Sequence, residues 1–480
     1  KNELLQSQIS FYRDALDEAE KHPVKAYIFG EPADKSRLKE FVNILLQHKI
    51  KVYRSARDIE KNGTIYRSAD SYIVPLKQVE YRFIRSLFEP VKDFSDSIFY
   101  DVSTWVLPMS FNLKYAPLMQ LKEIDALTGM EVTEPPDVAG QLISPDKPYA
   151  YLFEWTDYYA PKALFRLQEN GIITRLSTKR FTCMIGNGKR TFDAGTIVIP
   201  CSVQPFETEQ LHDLMKKTSI ECGISIYGVQ TGLTEAGVDL GSNTIQVLVK
   251  PSVAMVVGDG ISSSISGEIW HLLDSRFGIP VTLIPVSRFG ASDLNRYNSI
   301  VIAGSPEISP SGIEKIKSWL RPGRNLIAIE GGNRWLVKNN LAEIEFIPEV
   351  TVKPREPAYS NQGSDRQVHQ IPGSIFQTKL DLTHPLCFGY TSNIIPVFKS
   401  TQNAARVSSD NYNNPVRYLD NPLLSGYCSD ENLNRIKNSA YATVHKNGII
   451  SFYDDTNFRA VWYGTNKLFL NSIFFGQIIR

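Results

Sequence analysis

Cysteine is scarce and unpatterned: five residues in 480, Cys183, Cys201, Cys222, Cys387 and Cys428, with no C-x-x-C pair. That excludes a zinc ribbon and a disulfide framework. Two readings stay open, buried free thiols or, in an exported chain, a single Cys183–Cys201 bridge. Histidine is equally dispersed. His22, His48, His212, His271, His369, His384 and His445 form no H-E-x-x-H, H-x-x-E or H-x-H pattern, so no histidine-based zinc site is expected in this chain. There is no G-x-S-x-G to offer a serine nucleophile. G-x-G-x-x-G and the Walker lysine are also missing, and Gly258-Asp259-Gly260 with its serines is only loosely like a phosphate cradle. No cofactor is expected for this segment. Charge of one sign is absent as well. A net charge of +1 without blocks of like charge leaves no footprint for nucleic acid or an anionic membrane. The longest late apolar run, 468–479, is too short for a membrane span and is broken by Asn471. It reads as a closing helix packed on the last domain.

What is present is an ordinary globular composition, 42% hydrophobic and 21% charged, with apolar runs at a regular spacing. Ala26-Tyr27-Ile28-Phe29, Ala150-Tyr151-Leu152-Phe153 and Ala254-Met255-Val256-Val257 each open a unit. A helical stretch follows each (38–47, 163–169 and 268–273), then a second apolar run and a third. Counted from the opening alanine, Ile73, Ile197 and Ile300 lie 47, 47 and 46 residues on. The alternation predicts three tandem doubly wound α/β domains with parallel sheets.

The boundaries expected are an N-terminal helix over 1–23 and domains over 24–146, 147–250 and 251–480, the last with a strand-rich insertion between 350 and 445. Ser97-Ile98-Phe99-Tyr100 is the expected fourth strand of the first domain. The start Lys1-Asn2-Glu3, inside an amphipathic helix, reads as a processed product or a cloned segment with something upstream.

In an open α/β sheet, ligands lie beyond the carboxyl ends of the strands. In the third domain that edge gathers Asp259, Ser305, Glu330, Asn333, Asp454, Asp455 and Arg459. Paired carboxylates beside an arginine suit acid–base work, or binding of a cation or a sugar. The competing reading is that strand-end Asp and Ser cap helices and turns.

The third domain resembles the class I glutamine amidotransferase-like fold. That family's fourth strand ends in Gly-x-Cys-x-Gly, and here the turn is Ala328-Ile329-Glu330-Gly331-Gly332, so Glu330 stands at the cysteine position. The family's later Phe-His-Pro-Glu aligns with Phe452-Tyr453-Asp454-Asp455, so Tyr453 replaces the histidine base. A carboxylate is not a thiolate, and a phenol titrating near about 10 is a poor base, so amidase chemistry is not carried over. The degenerate site expected is Glu330, Tyr453 and Asp455. The whole chain is also similar to the C-terminal region of exported bacterial proteins whose N-terminal part is a carboxypeptidase A-like zinc peptidase. The similar stretches include 100–108, 231–233 with 239–242, 383–386 and, most specifically, 454–466. This resemblance implies an upstream peptidase domain as partner, zinc in that absent domain, and export to the periplasm or outer surface. The leading expectation is therefore a non-catalytic accessory region. A hydrolase using Glu330, Asp454 and Asp455 is the alternative, and a glycan- or peptide-binding module the third.

Overall fold

The computed structural model describes residues 2–94, 103–350 and 369–479. The chain divides into two compact units, residues 1–91 with 104–138, and residues 92–103 with 139–480. The expected strand at Ser97-Ile98-Phe99-Tyr100 lies outside the described residues.

In the first unit, Ala26–Gly30 is an apolar strand buried at all five positions. Asp34 caps the next helix, Lys35–Gln47, by accepting a hydrogen bond from the Arg37 N–H. The sheet runs in the order Lys114–Leu118, Ala26–Gly30, Ser71–Pro75, Val52–Ser55, Thr128–Val132. All of its pairings are antiparallel, which corrects the parallel sheet expected here. The reason lies between the second and third apolar runs. Those residues form no crossover helix but a hairpin, Ile59–Lys61 with Thr64–Tyr66, turned at Asn62-Gly63. A hairpin keeps the chain at the same end of the sheet, whereas a parallel return needs a crossover. Ser71–Pro75 therefore enters antiparallel between Ala26–Gly30 and Val52–Ser55.

The second unit holds a sheet on the same plan. Its order is Ile245–Leu248, Thr174–Ser177, Ile197–Pro200, Ala150–Phe153, Ser225–Val229, Gln141–Ile143. All pairs are antiparallel except the last, again correcting the expectation. A hairpin, Phe181–Ile185 with Gly188–Phe192, again precedes the third apolar strand.

The third copy of the spacing is built differently. Val281–Pro285, Val253–Val257, Ser299–Ile302, Asn325–Ile329 and Ile449–Phe452 are parallel neighbours in a nine-stranded sheet. Ala440–His445, Val416–Ser425, Ser374–Leu380 and Ile394–Lys399, all from the strand-rich insertion, extend it antiparallel. The closing helix, Tyr463–Phe475, is not a surface helix: all thirteen residues are buried. Two of its polar residues are spent largely on main-chain groups. Lys467 Nζ donates to the carbonyls of Trp155, Thr156 and Asp157, and Asn471 Nδ2 to those of Leu386 and Phe388. All five cysteines are free, so no Cys183–Cys201 bridge forms: Cys183 lies in the hairpin and Cys201 follows a strand of the main sheet. Among the described residues no helix is long and apolar enough to cross a membrane.

Candidate functional site

The parallel strands end on one side of the nine-stranded sheet, and the turn after Asn325–Ile329 is its tightest feature. Glu330 adopts φ 48° and ψ −110°, a left-handed conformation that an L-residue takes only under constraint, and the helix Gly331–Lys338 starts at the next residue. Glycine at 332 is required by close approach, because a Cβ there would stand 2.4 Å from the Ile302 carbonyl oxygen. Asn333 locks the turn: its Nδ2 donates to the carbonyls of Phe452 (2.7 Å) and Glu330 (3.2 Å). The Glu330 N–H also donates to the Phe452 carbonyl at 3.0 Å.

Around this turn lies a buried acid cluster. Asp454 lies at its centre, accepting from Lys399 Nζ at 2.7 Å and from the Tyr418 hydroxyl at 2.6 Å. Lys399 and Asp454 are 0% and 1% exposed, so each is the other's main compensation. Burial, and then the charges of Asp454 and Asp455, raise the Glu330 carboxyl from 4.5 to about 8, against the pull of Lys399. Burial, and then hydrogen bonding with Glu268, hold the Asp455 carboxyl well above the carboxylate range. Glu268 Oε2 is buried without a donor from any described N–H or hydroxyl, and the Asp455 carboxyl hydrogen-bonds with the Glu268 carboxyl. The site therefore gathers two carboxyls whose proton affinity is raised, Glu330 and Asp455, beside a third that pairs with Lys399. Tyr441 is wholly buried beside Asp454, Asp455 and Glu330, and its hydroxyl has no partner among the described residues.

The expected site residues divide into two sets. Glu330, Asn333, Asp454 and Asp455 come together. Tyr453 does not point to Glu330: its hydroxyl bonds Thr443 Oγ1 at 2.8 Å, and burial pushes it up to about 12. Asp259 and Ser305 are exposed on neighbouring loops joined by the Ser305 N–H to the Gly260 carbonyl at 2.7 Å. Among the described residues neither side chain bonds Glu330. Arg459 meets the cluster through its main chain, its N–H donating to Glu268 Oε1 at 2.7 Å, while its guanidinium lies over Phe458. The cation facing the carboxylates is Lys399 instead. Lys399, Tyr418, Tyr441 and Glu268 were not among the expected residues. The first three come from strands of the insertion, where nothing in the sequence marks them apart from core. Among the described residues no three His, Cys, Asp or Glu side chains are placed to hold a metal ion.

No family model matches the chain, and no curated protein matches it. Solved structures resemble it weakly. One is a putative GMP synthase component from Thermoplasma acidophilum, 11% identical over 46% of this chain and 92% of that one, with a TM-score of 0.30. Another is PurLQS from Thermotoga maritima, 13% identical over 46% and 96%, with a TM-score of 0.31. A third is a glutamine amidotransferase from Thermotoga maritima, 11% identical over 45% and 81%, with a TM-score of 0.25. These weak structural neighbours are glutamine amidotransferase-like folds.

Proposed function

We propose that this chain is a non-catalytic accessory region built around a degenerate amidotransferase-like elbow. One observation carries the reading. The strained turn that would present a nucleophile presents Glu330, protonated at neutral pH, and the residue at the base position turns its hydroxyl to Thr443. A neutral carboxyl is not a nucleophile, and a phenol raised to about 12 takes no proton at neutral pH. The unpartnered Tyr441 hydroxyl inside the acid cluster supports a retained polar pocket in place of a reaction centre. The test is glutamine hydrolysis by the purified chain and by Glu330→Gln. No turnover by either is expected, and a glutaminase activity that vanishes in the variant would overturn the reading.

The second reading, an acid–base hydrolase, is favoured by the separation of proton affinities at one edge. Burial raises the proton affinity of Glu330 and Asp455, while Asp454 beside them accepts from the Lys399 ammonium and the Tyr418 hydroxyl, and unlike environments for neighbouring carboxyls are the arrangement from which acid and base roles are drawn. A glycosidase and peptidase panel separates the two, since only the hydrolase loses a measured activity in Asp455→Asn with the fold intact. The resemblance of 454–466 supports a further proposal, that the region accompanies a carboxypeptidase A-like zinc peptidase in an exported protein. The zinc would belong to that peptidase. Reading the coding sequence upstream of the Lys1 codon tests this, and a frame without an export signal or a peptidase would refute it.

A further inference from the structure

A groove of about 420 Å³ lies in the second unit, away from the acid cluster. Its walls come from the end of the edge strand Gln141–Ile143, the hairpin strand Phe181–Ile185, the end of Ser225–Val229 and the loop that follows. Three apolar side chains face water there: Ile143 and Met184, each 38% exposed, and Leu233, 71% exposed. They give the groove an apolar rim.

Ser144, Gln230, Thr231 and Glu235 give the groove polar side chains, and the hairpin brings main chain to it. The hairpin closes between Ile185 and Gly188, and its ladder alternates, so residues 185, 183 and 181 address the partner strand while 182 and 184 address the opposite edge. On that edge Thr182 is satisfied, since its carbonyl accepts from the Glu235 N–H at 2.8 Å. The short strand Ala236–Gly237 pairs only with Phe181 and Thr182. Beyond it the chain turns away, the Thr234 N–H going to Asp239 Oδ1 at 2.8 Å. The N–H and C=O of Met184 therefore stand on an open sheet edge at the floor of the groove, with no strand beside them among the described residues.

We propose that this groove binds an extended peptide, which adds a strand along the open edge at Met184 and lays alternate apolar side chains against Ile143, Met184 and Leu233. The open edge offers one donor and one acceptor at strand spacing, which an extended main chain satisfies while its alternate side chains reach the apolar residues on the groove's rim. Unbranched Met184 adapts to differing side chains. Charge sets a preference. Glu235 is the charged side chain lining the groove, and Asp239 lies behind it. Both carboxylates act on Cys183 in the same wall, and Lys189 answers only Glu235, from an exposed position 2.7 Å away. The remaining negative charge complements a lysine or arginine in the bound strand.

The experiment is selection of octapeptides from a displayed random library on the whole purified chain, followed by binding of the enriched peptides as synthetic copies. The expected consensus has apolar residues at alternate positions and at least one Lys or Arg. Leu233→Glu, an exposed position that leaves the core untouched, should weaken binding about tenfold or more. N-methylating the peptide amides that face the edge should do the same, because it removes main-chain donors and leaves the apolar surface. No enrichment over the Leu233→Glu variant would overturn the proposal. Peptides that bind equally well when N-methylated or with the alternation scrambled would also overturn it, by showing an adhesive patch without strand addition.

Discussion

The antiparallel sheet holding Ala150–Phe153 and the parallel strands around Val253–Val257 are written in nearly the same way. Each has an apolar strand, a helix, a second strand, and a third apolar run whose key isoleucine lies 47 or 46 residues on. They differ in what fills the gap before that third run. In the first case it is the hairpin Phe181–Ile185 with Gly188–Phe192; in the second it is two helical turns, Val286–Ala291 and Leu294–Arg296. Apolar periodicity reports that a strand is buried, while its direction is set by the connection. The consequence reaches chemistry. Antiparallel neighbours send successive strand ends to opposite sides, whereas the parallel strands bring Gly258, Gly304, Glu330 and Asp454 to one edge. A buried acid cluster forms at that edge.

The sharpest way to test this contrast is to remove a charge from the acid cluster and one from the hairpin. Lys399→Met leaves buried Asp454 with only hydroxyl donors, and a loss of about 3–5 kcal/mol is expected from denaturant unfolding. Adding Asp454→Leu should restore much of it, since the penalty is the uncompensated charge. At the base of the hairpin that precedes Ile197–Pro200, Arg180 and Asp193 are 70% and 66% exposed, and Arg180→Ala should cost well under about 1 kcal/mol. Equal losses would mean that the cluster is wetter than its burial indicates.

A pH series sharpens the same contrast. Glu330 binds its proton more tightly folded (about 8) than unfolded (4.5), so between those values the folded state holds the extra proton. Its contribution is most favourable below about 4.5 and is lost as pH rises through 8. Glu330→Gln, which imitates the protonated form, should match the native protein near pH 5. At pH 9 it should be the more stable by about 2–3 kcal/mol, allowing for partial solvent screening. Parallel stability curves for the two proteins would remove the protonated carboxyl from the site and weaken the case for a non-catalytic elbow. His445 is pushed the other way, down to about 4 by burial, so its contribution is present above 6.5 and lost as pH falls towards 4.

The sequence made the strands legible because each is a short apolar run, and it made Glu330 legible because two glycines follow it. Asp454 and Asp455 could be read from their place after the last parallel strand. Their partners could not. Lys399 ends an apolar run and Tyr418 and Tyr441 sit in strands, where tyrosine is ordinary, so nothing local marks them as facing a carboxylate. Tyr453 shows the opposite failure. Its position after the strand was right for a base, but an adjacent residue on a strand points to the other face, and there Thr443 takes its hydroxyl. The closing helix hid its burial behind Asn466, Lys467, Asn471 and Ser472, each polar and each bonded internally.

Strand direction in the first unit had a signal in the sequence, and a small backbone effect tests it. Asn62-Gly63 between two short strands is the pattern of a two-residue hairpin turn in which both residues take positive φ. The observed values are 51° and 72°, as that turn demands. A Cβ at Gly63 would meet nothing within 4 Å, so Gly63→Ala tests backbone conformation alone. The left-handed penalty for alanine predicts a loss of about 1 kcal/mol, and Gly63→Asn, which tolerates that region, should lose only a few tenths. Equilibrium unfolding of the two variants measures both. If alanine costs no more than asparagine, the turn is not of this type and the hairpin does not hold the chain on its antiparallel path. The contrast between the sheets would then need a cause other than their connections.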